Sequence, residues 1–256
     1  MDKGFVIMAQ DLEGSNTYYN CATVLEQSIK NVMPNANVTI LTSNDLPYGD
    51  LEPDSDWKLI NDWQVYEASP YEYTIKLEAD MYIPRNIDHW WDILKDRDLV
   101  VSTTIRNFKG DISDKKLYRK FIVDNDLVDC YNAITYFKKS DLAKQFFAIV
   151  RNVFEYWSAY KHILKCNPEE KVTTDWAYAL ACHILGPEKT TLPSFTEMSM
   201  VHMKQYVNDI LTENWTESLV IESFSDLLRV NTYPQRYPFH YHIKNFSEVL
   251  REGFNK

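Results

Sequence analysis

The sequence predicts an α/β protein with a mostly parallel central sheet flanked by helices and a helical, aromatic-rich C-terminal elaboration. Three observations lead there. Residues 5–9 (Phe-Val-Ile-Met-Ala) and 38–41 (Val-Thr-Ile-Leu) are short, largely apolar runs, as expected of strands buried on both faces. Between them Ala22, Leu25, Ile29 and Val32 recur three and four apart, the spacing of an amphipathic helix. A chain of 256 residues that is 45% hydrophobic and 25% charged has the material for one domain with a full core. Strand, helix and strand within about forty residues make a βαβ unit, so the sheet is parallel at this end.

The elements follow in order. The first strand ends at Gln10-Asp11, the edge where a parallel sheet places its ligand. Asn16 or Thr17 caps the first helix and Pro34 stops it. Ser43-Asn44-Asp45 supplies a turn after the second strand, and residues 46–70 read as irregular and acidic, with Trp57 and Trp63. A third strand over 73–77 runs straight into Glu78-Ala79-Asp80. Residues 86–95 read as a short helix, 99–102 as a fourth strand and 132–137 as another. The polar stretch 103–129 carries Arg106, Lys109, Lys115, Lys116, Arg119 and Lys120 beside the ligand edge. It is either a solvated loop or one that meets a phosphate or an anionic acceptor. Leu142, Phe146, Ile149, Val150, Val153 and Trp157 mark a long helix reaching about Leu164. Thr173 or Thr174 caps the next, with Asp175 near its start, and Gly186-Pro187 ends it. A helix over 217–229 and an aromatic tail over 233–246 complete the chain.

Composition excludes several classes. With 27 Lys+Arg against 37 Asp+Glu the net charge is −10, so the surface as a whole does not attract nucleic acid, although a local basic groove stays open. None of the six glycines stands in a dinucleotide or P-loop spacing. Cys21, Cys130, Cys166 and Cys182 form no C-x-x-C pair and read as reduced core thiols. No stretch approaches about 18 apolar residues, and the run after Met1 is too short for a signal peptide, so a soluble cytoplasmic protein is expected.

The chemistry concentrates in Lys76-Leu77-Glu78-Ala79-Asp80-Met81. In an extended segment residues i and i+2 share a face, so Glu78 and Asp80 present two carboxylates side by side where a buried strand ends. Like charges there require a cation, and oxygen ligands suit Mn²⁺ or Mg²⁺. The same pattern also occurs at ordinary strand ends. His240-Tyr241-His242-Ile243-Lys244 adds an imidazole that can complete a Mn²⁺ site and an ammonium that can meet a phosphate. His202-Met203-Lys204 repeats the pairing. Packing on an aromatic surface accounts for these histidines equally well, as the helix dipole does for Asp175.

Taken together, the apolar strand ending at Ala9-Gln10-Asp11, the acidic motif at 76–81, the Asn132 strand, Asp175 and the late histidine motif span most of the chain. On these residues it resembles the GT-A fold (Rossmann-like) nucleotide-sugar glycosyltransferases, nearest the retaining, glycogenin-like branch. The resemblance implies a UDP-sugar donor and Mn²⁺ or Mg²⁺, with Asp80 and Glu78 reading as a DxD variant and His240 as the further metal ligand. Glu78 stands where the family has its first Asp, and the late motif is shortened, which leaves His202 in reserve and His242 hard to distinguish from His240. Lys76, Lys204, His202 and Lys244 are implied to lie by the diphosphate, Gln10 and Asp11 by the uridine, and Asn132 and Asp175 at the sugar and acceptor. The domain would then divide into a donor half (1–102), an acceptor-side half (103–200) and a closing elaboration (201–256). Small phage-encoded enzymes that glycosylate hydroxymethylcytosine in DNA share its compact, acidic, aromatic-rich style, so the acceptor is either such DNA or a saccharide. Two further classes stay in view: another metal-dependent nucleotide enzyme, and a non-catalytic nucleotide-sugar-binding module.

Overall fold

The computed structural model of the protein describes all residues except 1, 56–57, 116–117, 168, 211, 225–226 and 255–256. Trp57 and Lys116, singled out above, lie outside the described residues. The first half contains β1 (Lys3–Met8), α1 (Thr17–Val32), β2 (Val38–Leu41), α2 (Val65–Ala68), β3 (Tyr73–Glu78), β4 (Met81–Tyr82), α3 (Trp90–Leu94), β5 (Leu99–Ser102) and β6 (Thr104–Arg106). It continues with α4 (Lys120–Asp124), β7 (Tyr131–Lys138), α5 (Asp141–Glu155), α6 (Trp157–Tyr160), α7 (Thr174–Leu185) and α8 (Pro187–Thr190). The C-terminal part adds β8 (Ser199–His202), β9 (Ile221–Phe224), β10 (Leu227–Val230), β11 (Tyr233–Pro234), β12 (Phe239–His240) and α9 (Phe246–Gly253).

The architecture is the predicted α/β one. The central sheet has the order β2-β1-β3-β7-β5, and β1 pairs in parallel with both β2 and β3. Only β7 is reversed, pairing antiparallel with β3 and with β5. Both faces of the sheet are covered: Phe5 and Ile7 join one core with α1 and Trp90, while Val6 and Met8 join a second with α5 and α7. That two-sided burial explains why β1 reads as an unbroken apolar run. The register between β7 and β5 shifts between Val101, paired with Thr135, and Ser102, paired with Tyr131, so Asn132 and Ala133 lie in a bulge near the sheet's ligand edge.

A second sheet, β4-β12-β8-β6, positions the tail. In β12, Phe239 and His240 pair with Tyr82 and Met81 on one side and with Val201 and His202 on the other. The C-terminal elaboration is thereby stitched onto the turn that follows β3.

Several local expectations are corrected. Neither Asn16 nor Thr17 caps α1 with its side chain; Asp11 reaches forward instead and accepts the Tyr18 and Tyr19 backbone N–H groups, each at 2.8 Å. The helix expected over 217–229 is a short 3-10 turn followed by the β9–β10 hairpin. Leu228 and Val230 are buried while Arg229 between them is exposed, a strand's period of two in a stretch that also fits a helical one. The long helix breaks at Tyr156, and the helix near 90 begins only after a turn in which Asn86 accepts the Asp88 backbone N–H. The 103–129 stretch contains β6 and α4. Among the described residues no helix is long and apolar enough to cross a membrane.

Gly4 is required by a close approach: a Cβ there would fall 2.4 Å from the Tyr71 ring. That ring is fixed by a 2.7 Å hydrogen bond between its hydroxyl and Thr39. Gly4→Ala is expected to lower stability by about 1–3 kcal/mol, read as a reduced urea midpoint at unchanged slope.

Candidate active site

The ends of β1, β3 and β8, the start of β7, the first turn of α7 and the segment after β12 surround a cavity of about 540 Å³. Such a position, beyond the carboxyl ends of parallel strands, is where open α/β sheets bind ligands. Gln10, Lys76, Glu78, Asp80, Asn132, Asp175, His202, Lys204, His240 and Lys244 all line it.

The acidic corner is built by β3 and the turn into β4. His240 Nε2 stands 3.0 Å from Glu78 Oε2 and 3.2 Å from Asp80 Oδ1, so one imidazole bridges both carboxylates. Asn132 donates its side-chain amide to Glu78 Oε1 at 2.7 Å, and the Lys244 ammonium pairs with Asp80 Oδ2. Burial pushes the Asp80 carboxyl up, but His240 and then Lys244 outweigh it and hold the group well below the usual carboxylate range. Burial also works against the Lys244 ammonium, and Asp80 outweighs it there too, raising its pKa.

A histidine cluster adjoins this corner. His242 Nε2 lies 3.2 Å from His202 Nδ1, and the rings of His240 and His242 meet tilted by 35° with centroids 3.8 Å apart. Burial first, then the neighbouring histidines, pulls His202 and His242 well below the usual imidazole range. His202 Nε2 and His240 Nδ1 are buried without a hydrogen-bond partner.

Asp175, in the first turn of α7, is held from two sides. The Asn132 backbone N–H donates to its Oδ1 at 3.0 Å, and Arg119 Nη1 pairs with its Oδ2. Arg119 is itself buried, 3.0 Å from Asp129 and stacked 4.3 Å from the Tyr131 ring centre. Sequence reasoning counted Arg119 among loop cations; nothing in its spacing distinguishes it from its neighbours.

Lys76 borders the cavity, but its ammonium is fully buried and paired at 2.6 Å with Asp62, whose other oxygen accepts the Tyr178 hydroxyl at 2.6 Å. It is a structural ion pair beneath the site rather than a free cation. Asp62 was missed, although a lysine inside an apolar strand signals a buried acidic partner. Gln10 accepts from the Asn61 side-chain amide at 2.9 Å. Asp11 is absent from the cavity wall, because both its oxygens serve the first turn of α1.

Most of the described cations of 103–129 are engaged internally, and Lys109 is exposed beside the Tyr233 ring. Arg106 is buried, bonded to Ser199, Gly110 and Thr196 and stacked 3.8 Å from the Tyr237 ring centre. Lys115 pairs with Asp209, Lys120 with Asp124, and Arg119 with Asp129 and Asp175.

Arg119→Met would leave Asp175 without its buried counter-charge. It is expected to lower stability by about 3–5 kcal/mol in urea unfolding. Lys120→Ala, which removes an exposed pair, should stay within about 0.5 kcal/mol of the unaltered chain.

No known family's sequence profile matches the chain, and no curated protein does. Among solved structures the chain is similar to the galactosyltransferase LgtC in complex with donor and acceptor sugar analogs, at 13% identity and TM-score 0.42 over 69% of this chain and 70% of that one. It is similar to the apo-form glycosyltransferase GlyE of Streptococcus pneumoniae TIGR4, at 9% identity and TM-score 0.47. That match covers all of this chain but 64% of the pneumococcal one. Mouse xyloside xylosyltransferase 1 matches at 11% identity and TM-score 0.44, over 75% of this chain and 85% of its own.

Proposed function

We propose that this chain is a metal-dependent glycosyltransferase that moves a sugar from a UDP-sugar to a hydroxyl of a saccharide acceptor, with retention of anomeric configuration. The observation that carries the reading is the corner where Glu78, Asp80, His240 and Lys244 meet on the wall of the cavity. One ligand atom from each of Glu78, Asp80 and His240 lies within 4.8 Å of the others. The contacts of 3.0 and 3.2 Å from His240 Nε2 match the edge of about 3 Å between neighbouring ligands in octahedral coordination. Two carboxylates and one imidazole are the donor set that Mn²⁺ or Mg²⁺ takes, so these residues fit such an ion. When bound, it would offset the charge that builds on the departing diphosphate.

The chain's own residues divide the rest of the work. Asp80, held ionised, and Glu78, oriented by Asn132, would hold the metal with His240. Lys244, 28% exposed at the end of its pair with Asp80, is the ammonium free to turn to a phosphate. Lys204, stacked 5.1 Å from the Tyr118 ring centre, offers a second. The Gln10 and Asn61 amides at the end of β1 carry the mixed donors and acceptors that a base edge requires. In this reading the donor half is 1–102, the acceptor side 103–200, and 201–256 closes the site.

Retention is favoured by the state of the carboxylates. The four that line the cavity, Asp62, Glu78, Asp80 and Asp175, have all eight oxygens engaged by Lys76, Tyr178, Asn132, His240, Lys244 or Arg119. An inverting enzyme needs an acceptor-side carboxylate free to take a proton, whereas here Asp175 is fixed to orient. A saccharide acceptor is favoured over DNA by the internal pairing of the loop cations and by the aromatic faces of Tyr18, Tyr118 and Trp176 in the wall.

The test is UDP release from a panel of UDP-sugars with and without Mn²⁺. One sugar should be turned over, only with the metal, and Asp80→Asn should reduce the rate at least about 100-fold while the chain stays folded. Unchanged turnover in Asp80→Asn would remove the metal assignment. Asp175→Ala should slow transfer more than it weakens UDP binding; the reverse would move Asp175 to the donor side. Transfer to hydroxymethylated DNA rather than to saccharides would overturn the acceptor.

A further inference from the structure

We propose that His202, His240 and His242 form a second, all-nitrogen metal subsite that takes Zn²⁺ in preference to Mn²⁺ or Mg²⁺. The proposal does not depend on sugar transfer; it rests on the placement of three imidazoles. One ring nitrogen of each lies within 4.8 Å of the others. His202 Nδ1 and His242 Nε2 stand 3.2 Å apart, close to the edge of about 3.3 Å that a tetrahedral site with Zn–N bonds of about 2.0–2.1 Å requires.

Two further observations point to a ligand. His202 and His240 are each 3% exposed; His240 keeps Nδ1 without a hydrogen-bond partner, while His202 turns Nδ1 to His242 and leaves Nε2 unpartnered. Buried polar atoms are rarely left that way without a reason. His242 adopts φ +55°, a left-handed backbone that non-glycine residues seldom take, and this conformation brings its ring against His202 and His240.

The chemistry selects the ion. Three imidazoles with no carboxylate suit Zn²⁺, whereas Mn²⁺ and Mg²⁺ favour oxygen. Three protein ligands leave the fourth tetrahedral position to water from the cavity, the open arrangement of a zinc site that is not purely structural. Of the nearby ammonium groups, Lys244 pairs with Asp80 and Lys204 lies over the Tyr118 ring. Glu78 and Asp80 lie just beyond His240 and offset the added charge. Because His240 belongs to both groups, Zn²⁺ at the histidines and Mn²⁺ at the carboxylate corner draw on the same ring, and each weakens the other's binding reciprocally.

Isothermal titration of the chelator-stripped full chain with Zn²⁺ alone, and an absorption spectrum with Co²⁺ in its place, test this. One Zn²⁺ per chain is expected, with the intense visible Co²⁺ bands of a four-coordinate site. His242→Asn and His202→Gln should each weaken Zn²⁺ at least about tenfold and abolish those bands, while Mn²⁺ affinity is retained. Asparagine tolerates the left-handed backbone, so His242→Asn keeps the test valid should His202→Gln fail to fold. Unchanged Zn²⁺ affinity in His242→Asn would overturn the subsite. So would loss of Zn²⁺ binding in Glu78→Gln together with its retention in His242→Asn, which would assign the ion to the carboxylates. Failure of Mn²⁺ to bind would count against the glycosyltransferase reading and leave this subsite standing.

Discussion

Two carboxylates at the end of a buried strand need positive partners, and the chain supplies them from far along its length. His240 and Lys244 reach Asp80 across 160 and 164 positions of sequence. The contact is possible because β12 lies between β4 and β8, in a sheet separate from the central one. Charge and topology therefore support one another here: the pairing of β12 brings the imidazole to the acids, and the acids give a buried imidazole its hydrogen-bond partners and a largely buried ammonium its counter-charge. Removal of either side would leave the other desolvated and unpaired, a penalty of several kcal/mol for a buried ion.

The same logic extends around the cavity. Asn132 is the joint: its side chain holds Glu78 and its backbone N–H holds Asp175, so one residue fixes the acidic corner relative to the first turn of α7. It sits in the register irregularity between β7 and β5. Arg119 secures the far side of Asp175 from a segment that looks like loop in sequence. The result is a wall whose polar groups are oriented before any ligand arrives, which is the condition for electrostatic stabilisation of developing charge.

Much of this arrangement is legible in the sequence, for identifiable reasons. The unbroken apolar run of β1, the strand pattern of β3 and the helical periods of α1, α5 and α7 are local signals, and each element forms near where its pattern predicts, although α5 stops at Glu155. The acidic pair is legible because Leu77 before Glu78 and Met81 after Asp80 mark it as charge set into core. Other features are not local. The reversal of β7, the Arg119–Asp175 pair and the meeting of His202 from β8, His240 from β12 and His242 just after it depend on tertiary pairing that no spacing encodes. The β9–β10 hairpin was misread because four-residue strands offer too few periods to separate two from 3.6. Asp11 shows a different failure: a carboxylate at a strand's end satisfies a ligand and a helix N-terminus equally well, and only the fold decides between them.

The acidity of the chain and the charge of its site differ, and range decides which matters. Lys58, Lys76, Arg119, Lys204 and Lys244 line the cavity with Asp62, Glu78, Asp80 and Asp175, and Asp50 and Asp129 just outside it pair with Lys58 and Arg119, so its surroundings are close to neutral. The whole chain stands at −10, so the surface beyond the cavity repels an extended polyanion. At physiological salt, fields between exposed charges fade over about 8 Å, so a small anion inside the cavity feels chiefly its own wall. A divalent ion at the carboxylate corner would make that wall more positive without altering the outer surface. The difference between cavity and outer surface comes from where the charges lie rather than from their sum.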